Sequence, residues 1–149
     1  MHVGFDQGHL AHRRELVSLS IEDLAGQYHQ GWVGKDPNVI ADLHTEDTTF
    51  HLHGLAEAAV GRVPVRDLIA SLLRLVPDLH FEAKRFYVGS DHIVFEYDMS
   101  GTFDGTHFVC DGVDVIAVTD GLVARKDTYL DLVALIDQVG VLPQIVVAV

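Results

Sequence analysis

The chain has 149 residues, 48% of them hydrophobic, and a single cysteine. That is enough for one domain with its own core, and it excludes an internal disulfide. A formal charge of −12, with 10 Lys and Arg against 22 Asp and Glu, excludes the clustered basic surface that nucleic-acid binding requires.

Residues 1–19 mix Gly, His and charge without a period, so they are expected to form a loosely ordered arm before a single domain over residues 20–149. Ser20 caps a helix with Asp23 in its third position. Ile21, Leu24, Ala25, Tyr28 and Trp32 then recur at helical spacing, which turns Tyr28 and Trp32 inward. Asp36-Pro37 is a cap followed by a first-turn proline and starts a short helix through Val39, Ile40 and Leu43. Thr48–His53 reads as a strand and Gly54–Gly61 as a loop. Pro64 opens a third helix with Leu68, Ile69, Leu72 and Leu73 on one face, and Pro77 ends it.

From there the chain reads as strand. His80–Val88 and His92–Thr102 join through Gly89-Ser90-Asp91, and Ile93, Phe95, Tyr97, Met99 and Phe103 alternate with polar residues. Val113–Val118 and Leu122–Tyr129 flank Asp120-Gly121, the strongest short-range hairpin signal. A helix over Leu130–Val139, stopped by Gly140, follows. The tail VLPQIVVAV is apolar but too short to span a bilayer, and is expected to add a strand, cover a core opening or pack on a partner. No run reaches the length of a membrane span and the N-terminus lacks the apolar core of a signal peptide, so a cytoplasmic protein without a membrane partner is expected. Helices followed by an antiparallel meander predict an α+β fold, a curved antiparallel sheet wrapped around the N-terminal helices. Its open end is a natural apolar pocket for a small molecule.

Several residues carry candidate chemistry. If Asp120 and Gly121 alone form the hairpin loop, Asp114 faces Asp127 with Cβ atoms about 5 Å apart. Such a pair repels by about 3 kcal/mol at an effective dielectric of about 20, which leaves one acid protonated near neutrality beside an ionised partner. A one-residue change in the turn separates the two, and Arg125, on the face of Asp127, is placed to neutralise it. His51 and His53 point to one face of a strand and read as solvent-facing or hydrogen-bonded. With no third ligand at metal spacing, no metal is expected. Tyr28, Trp32, Phe95 and Tyr97 either line the pocket or fill the core. Glu96 and Asp98 alternate toward solvent, and Cys110 reads as a small buried strand residue.

Four segments in order, WVGKD, EDTTFHLHG, PDLHFEAKRFYVGSDHIVFEYDMSGT and VDVIAVTDGLVARKDTYLDLVALIDQVG, carry a family resemblance from about Ile21 to Gly140. The chain resembles the cone-shaped, cystatin-like α+β barrel of ketosteroid isomerase, the SnoaL-like polyketide cyclases, scytalone dehydratase and limonene epoxide hydrolase, the nuclear transport factor 2-like type. Against ketosteroid isomerase, Tyr28 stands eight residues before Asp36, where that family has its oxyanion-hole tyrosine, and Asp114 falls at the protonated aspartate that completes the hole. The isomerase base aligns near Leu52, between His51 and His53, and is not carried over. In the cyclases an acid on the last strand is the general base, and Asp127 holds that position. RKDTYLD looks like the epoxide hydrolase tryptophan-arginine-aspartate-tyrosine segment. The Arg-x-Asp part of that family's Asp-Arg-Asp triad reads here as Glu96-Tyr97-Asp98, without the arginine.

The resemblance implies an isomerase or cyclase without cofactor, moving a proton next to a carbonyl of an apolar polycyclic or terpenoid substrate. Asp127 would be the base, Asp114 and Tyr28 would donate to the oxyanion, and Trp32, His51, His53, Phe95, Tyr97 and Tyr129 would line the pocket. A non-catalytic ligand-binding or dimerisation module and an epoxide hydrolase are the alternatives. A homodimer packed through the outer sheet face is also implied.

Overall fold

Local capping sets the helix starts. The Ser20 hydroxyl accepts the backbone N–H of Asp23 at 3.0 Å and begins α1 (Ile21–Val33), which turns Leu24, Tyr28 and Trp32 into the core. Asp36 Oδ1 accepts from the N–H groups of Asn38 and Val39 and begins α2 (Pro37–Asp42). The computed structural model describes residues 18–145, so most of the expected N-terminal arm and the last four residues of the tail lie outside the described residues.

Strand β1 (His44–Leu52) starts earlier than expected. The expected strand begins at Thr48, yet His44 and Thr48 are both fully buried and hydrogen-bond to each other at 2.8 Å. The following loop holds a two-residue strand, β2 (Ala59–Val60). Helix α3 (Arg62–Leu75) begins just before Pro64, which sits in its first turn. Strands β3 (His80–Val88), β4 (His92–Phe103), β5 (Thr106–Thr119) and β6 (Leu122–Leu130) follow. Helix α4 (Leu132–Val139) starts two residues later than expected, because Asp131 supplies its cap and Leu130 stays in β6.

One sheet runs in the order β2-β1-β6-β5-β4-β3. All neighbours are antiparallel except β1 and β6, which are parallel, so the sheet is mixed. Register shifts in β3 and β6 bend the ribbon, and its concave side closes over α1 and α3 to form the expected cone. Leu24, Phe50, Val65, Leu68, Ile69 and Ile93 fill the interior, each contributing about 1.5–3 kcal/mol on burial. Of the tail, Ile145 is buried and donates its N–H to Leu55 O at 2.8 Å, covering an opening between α3 and α4.

The hairpin forms at Asp120-Gly121, both with positive φ, but the expected acid pair does not. Thr119 pairs with Leu122 and Val118 with Val123 as the two-residue loop requires, after which Ala117 pairs with Arg125 and leaves Ala124 as an extra residue. At this bulge Val123 donates its N–H to Leu43 O and Val118 to Asp91 O, so backbone partners outside the hairpin hold the shift. Beyond it Asp114 pairs with Thr128 and Val115 with Asp127. A one-residue slip moves a side chain to the other face. Asp114 therefore points into the cone and Asp127 away from it.

Candidate functional site

The mouth of the cone opens on an apolar cavity between α1 and the concave faces of β3 to β6, lined by Leu24, Trp32, Phe86, Ile93, Phe95 and Ile116 among others. About 30 Å³ within it is open to the centre of a water molecule, room for about two waters. Half-exposed Phe86 stacks on Phe95 at 4.2 Å and narrows the mouth.

Charge enters this apolar wall through Asp114 on β5 and Lys126 on β6, only 5% and 4% exposed. Strand pairing sets Lys126 against Ile116, diagonal to Asp114 on the same inner face. Its Nζ lies 3.5 Å from Asp114 Oδ2. It also sits over the rings of Trp32 (4.4 Å), Phe50 (4.7 Å) and Tyr28 (5.0 Å), whose π faces attract a cation. Burial works against the ammonium, but the Asp114 carboxylate and the Tyr28 phenol outweigh it, and the Lys126 pKa is raised. Asp114 Oδ1 accepts from Tyr97 at 2.9 Å and from Thr128 at 2.6 Å. The Tyr97 and Thr128 hydroxyls and the Lys126 ammonium thus surround the Asp114 carboxyl group.

Tyr28 and His44 share a hydrogen bond of 2.9 Å, and His44 Nδ1 meets Thr48 Oγ1. Burial, with the positive charges of Lys126 and Arg62, lowers the His44 pKa to about 3, so the ring is neutral and carries one proton. Burial also holds the Tyr28 phenol above its ordinary pKa, although Lys126 pulls the other way. If His44 carries its proton on Nε2, it donates to the Tyr28 oxygen and frees the phenol O–H for a ligand. Trp32 Nε1 is buried and, among the described residues, lacks a hydrogen-bond partner, a cost that a ligand acceptor in the cavity would remove.

The sequence-predicted site residues thus divide between two faces. Tyr28, Trp32, Phe95 and Asp114 line the cavity, and Tyr97 lies behind Asp114. Asp127, His51, His53 and Tyr129 do not line it and gather on the outer face. There His53 Nε2 lies 2.8 Å from Asp127 Oδ1, Arg125 donates to Asp127 Oδ2 at 2.7 Å, and Tyr129 stacks on His53 at 4.2 Å. Arg125 pairs with Asp127 as its place on the strand suggested. Burial opposes ionisation of Asp127, but His53 and Arg125 outweigh it and its pKa is lowered. Donor atoms of His51, His53 and Asp127 all lie within 4.8 Å of one another, an arrangement that strand spacing alone did not reveal.

Lys126 escaped the sequence because, in ARKDTY, alternation assigns no apolar face; only the bulged register puts it inside. Glu96 pairs with Arg85 and Asp98 with Lys84, all partly or fully solvent-exposed. Cys110 is buried, and burial first, then the acids Asp131, Asp111 and Asp98, push its thiol up to about 11, which leaves it unreactive. Among the described residues no helix is long and apolar enough to cross a membrane.

A curved sheet closed over helices around an apolar pocket is the architecture of the ketosteroid isomerase-like, nuclear transport factor 2-like proteins. Within that class the chain belongs to the SnoaL-like domain family, which residues 25–126 match. A ketosteroid isomerase-like protein from Catenulispora acidiphila, solved with trimethylamine, superposes with a TM-score of 0.72 at 20% identity, over 80% of this chain and 93% of that one. A protein described as a candidate SnoaL-like polyketide cyclase from Jannaschia sp. CCS1 gives 0.72 at 20% identity, over 83% and 93%. SalBIII, an epoxide hydrolase/cyclase-like enzyme with a role in pyran ring formation in salinomycin, gives 0.67 at 16% identity, over 76% and 92%. At these identities the likeness is one of fold. No curated protein matches the sequence.

Proposed function

We propose that the chain is a cofactor-free isomerase- or cyclase-type enzyme that moves a proton next to the carbonyl of an apolar small molecule bound in the cone. The observation that carries this reading is the buried Asp114–Lys126 pair opening on an apolar cavity. A carbonyl oxygen beside Lys126 Nζ would meet a cation held in low dielectric, where stabilisation of a developing oxyanion is strongest. Trp32 Nε1–H and the Tyr28 phenol are the further donors. The base is assigned to Asp114 in place of Asp127. Asp114 lines the cavity, whereas Asp127 is engaged by His53 and Arg125 on the opposite face.

The cavity as it stands admits only a small ligand, so a polycyclic or terpenoid substrate would need it to widen. The saturation of Asp114 by Tyr97, Thr128 and Lys126 favours the second reading, a binding module without chemistry. Epoxide opening has less support, because among the described residues no arginine lines the cavity to complete an Asp-Arg-Asp triad.

Proton exchange separates these readings. Apolar ketones and enones are incubated with the protein in D2O, and deuterium uptake next to the carbonyl is followed by NMR. The expected result is protein-dependent exchange that falls by about 10²–10⁴-fold in Asp114→Asn and persists in Asp127→Asn. Exchange lost only in Asp127→Asn would return the base to the outer acid. Ligand binding without exchange would establish the module.

A further inference from the structure

On the outer face, opposite the cavity, we propose that His51, His53 and Asp127 form a binding site for a divalent transition-metal ion of the zinc type. Alternation along the chain places residues 51 and 53 on one side of the sheet. The parallel pairing of β1 with β6 sets His51 directly against Asp127. Two residues spaced by two and the cross-strand partner of the first make a triangle on one face. Here each corner bears a metal-ligating group.

The side chains already converge. The two imidazole rings lie 3.7 Å apart, His53 Nε2 is 2.8 Å from Asp127 Oδ1, and one donor atom from each residue falls within 4.8 Å of the others. Zinc bonds nitrogen and oxygen at about 2.0–2.2 Å, so donors around one tetrahedral ion stand about 3.4 Å apart. The site therefore requires the partly exposed imidazoles to turn toward that spacing from the present one, within 4.8 Å. The ion takes the place of the proton that His53 and Asp127 share, and this proton passes to His53 Nδ1 or to solvent.

The surroundings support the ligands. Arg125 holds Asp127 Oδ2 at 2.7 Å and turns Oδ1 toward the histidines, while the Tyr129 ring, stacked at 4.2 Å and 12°, fixes the plane of His53. Oriented ligands of this kind raise metal affinity. Two imidazoles and one carboxylate suit zinc, cobalt, nickel or copper and not calcium or magnesium, which take oxygen. Three protein ligands leave one position for a water or another small ligand from solvent.

Cobalt(II) reports the site in the full chain. Titration of the apo-protein should give one Co2+ per chain, with visible d–d absorption, displaced by Zn2+. Paramagnetic broadening should centre on the His51, His53 and Tyr129 resonances, which locates the ion without any substitution. Affinity should fall by at least about tenfold in His51→Ala and in Asp127→Asn. It should be unchanged when His2, His9 and His12 are replaced by Gln. Circular dichroism of each variant shows whether it is folded. Binding that disappears with the three N-terminal histidines, broadening centred elsewhere, unaltered affinity in a folded His51→Ala or Asp127→Asn protein, or no bound Co2+ or Zn2+ would overturn the site.

Discussion

Lys126 and Asp114 meet in the cone with both side chains nearly removed from water. Taking away one partner leaves the other unpaired, which costs about 3–5 kcal/mol for a buried pair. Asp114 keeps two hydroxyl donors, so Lys126→Met should fall near the lower figure in urea denaturation. Lys126→Met with Asp114→Asn should recover most of that loss. Additive losses would mean that the two side chains do not interact. His44 next to them makes a separate contribution to pH dependence. Its pKa is about 3 when folded, against an ordinary 6.5. Between these values the unfolded chain binds the extra proton, and stability rises with pH by up to about 1.4 kcal/mol per unit. This contribution is fully present above about pH 6.5 and is lost as pH falls toward about 3. Unfolding free energies at a series of pH values between these limits should show a smaller slope in His44→Gln than in the parent; equal slopes would assign the dependence to other groups.

Strand β5 must let a large ring cross it before Asp114 can be bonded from behind. Tyr97 on β4 pairs with Gly112, and a Cβ at Gly112 would stand 2.6 Å from Tyr97 Cε1 and 2.8 Å from Leu130 Cδ2. Gly112→Ala should therefore cost about 1–3 kcal/mol, the usual penalty of overpacking. It should also push the Tyr97 hydroxyl off Asp114, seen as a shifted Tyr97 ring resonance. An unshifted ring with parental stability would show that Leu130 and Tyr97 give way freely. What the sequence made legible follows from the same distinction between local and distant partners. Ser20 and Asp36 cap their helices through neighbours within three residues, and the β4 alternation needs only its own strand, so these were readable. The bulge at Ala124 was not, because Leu43 and Asp91, far away in the chain, take the hydrogen bonds that hold it. One residue of register moved Asp127 out of the pocket and brought Lys126 in, so the fold was readable in more detail than the site.

The cone covers only one side of its sheet, and the other side still presents Val109 and Val115 on β5, 47% and 43% exposed. A sheet face left to water is ordinarily polar, and an apolar one is a candidate for association between copies. The homodimer that the family resemblance implies would use this face. Each copy carries a formal charge of −12, so repulsion opposes the contact and added salt should screen it. Light scattering should then give a mass twice the 16.4 kDa of the chain, with the dimer favoured as ionic strength rises. Val115→Glu places a further negative charge on the face while leaving the interior untouched, because residue 115 points away from Asp114 and Ile116. It should reduce the mass to that of one chain without changing circular dichroism. A dimer that survives this substitution uses another surface, and a parent that stays a single chain at every salt concentration leaves the valines as solvated edges of a monomer.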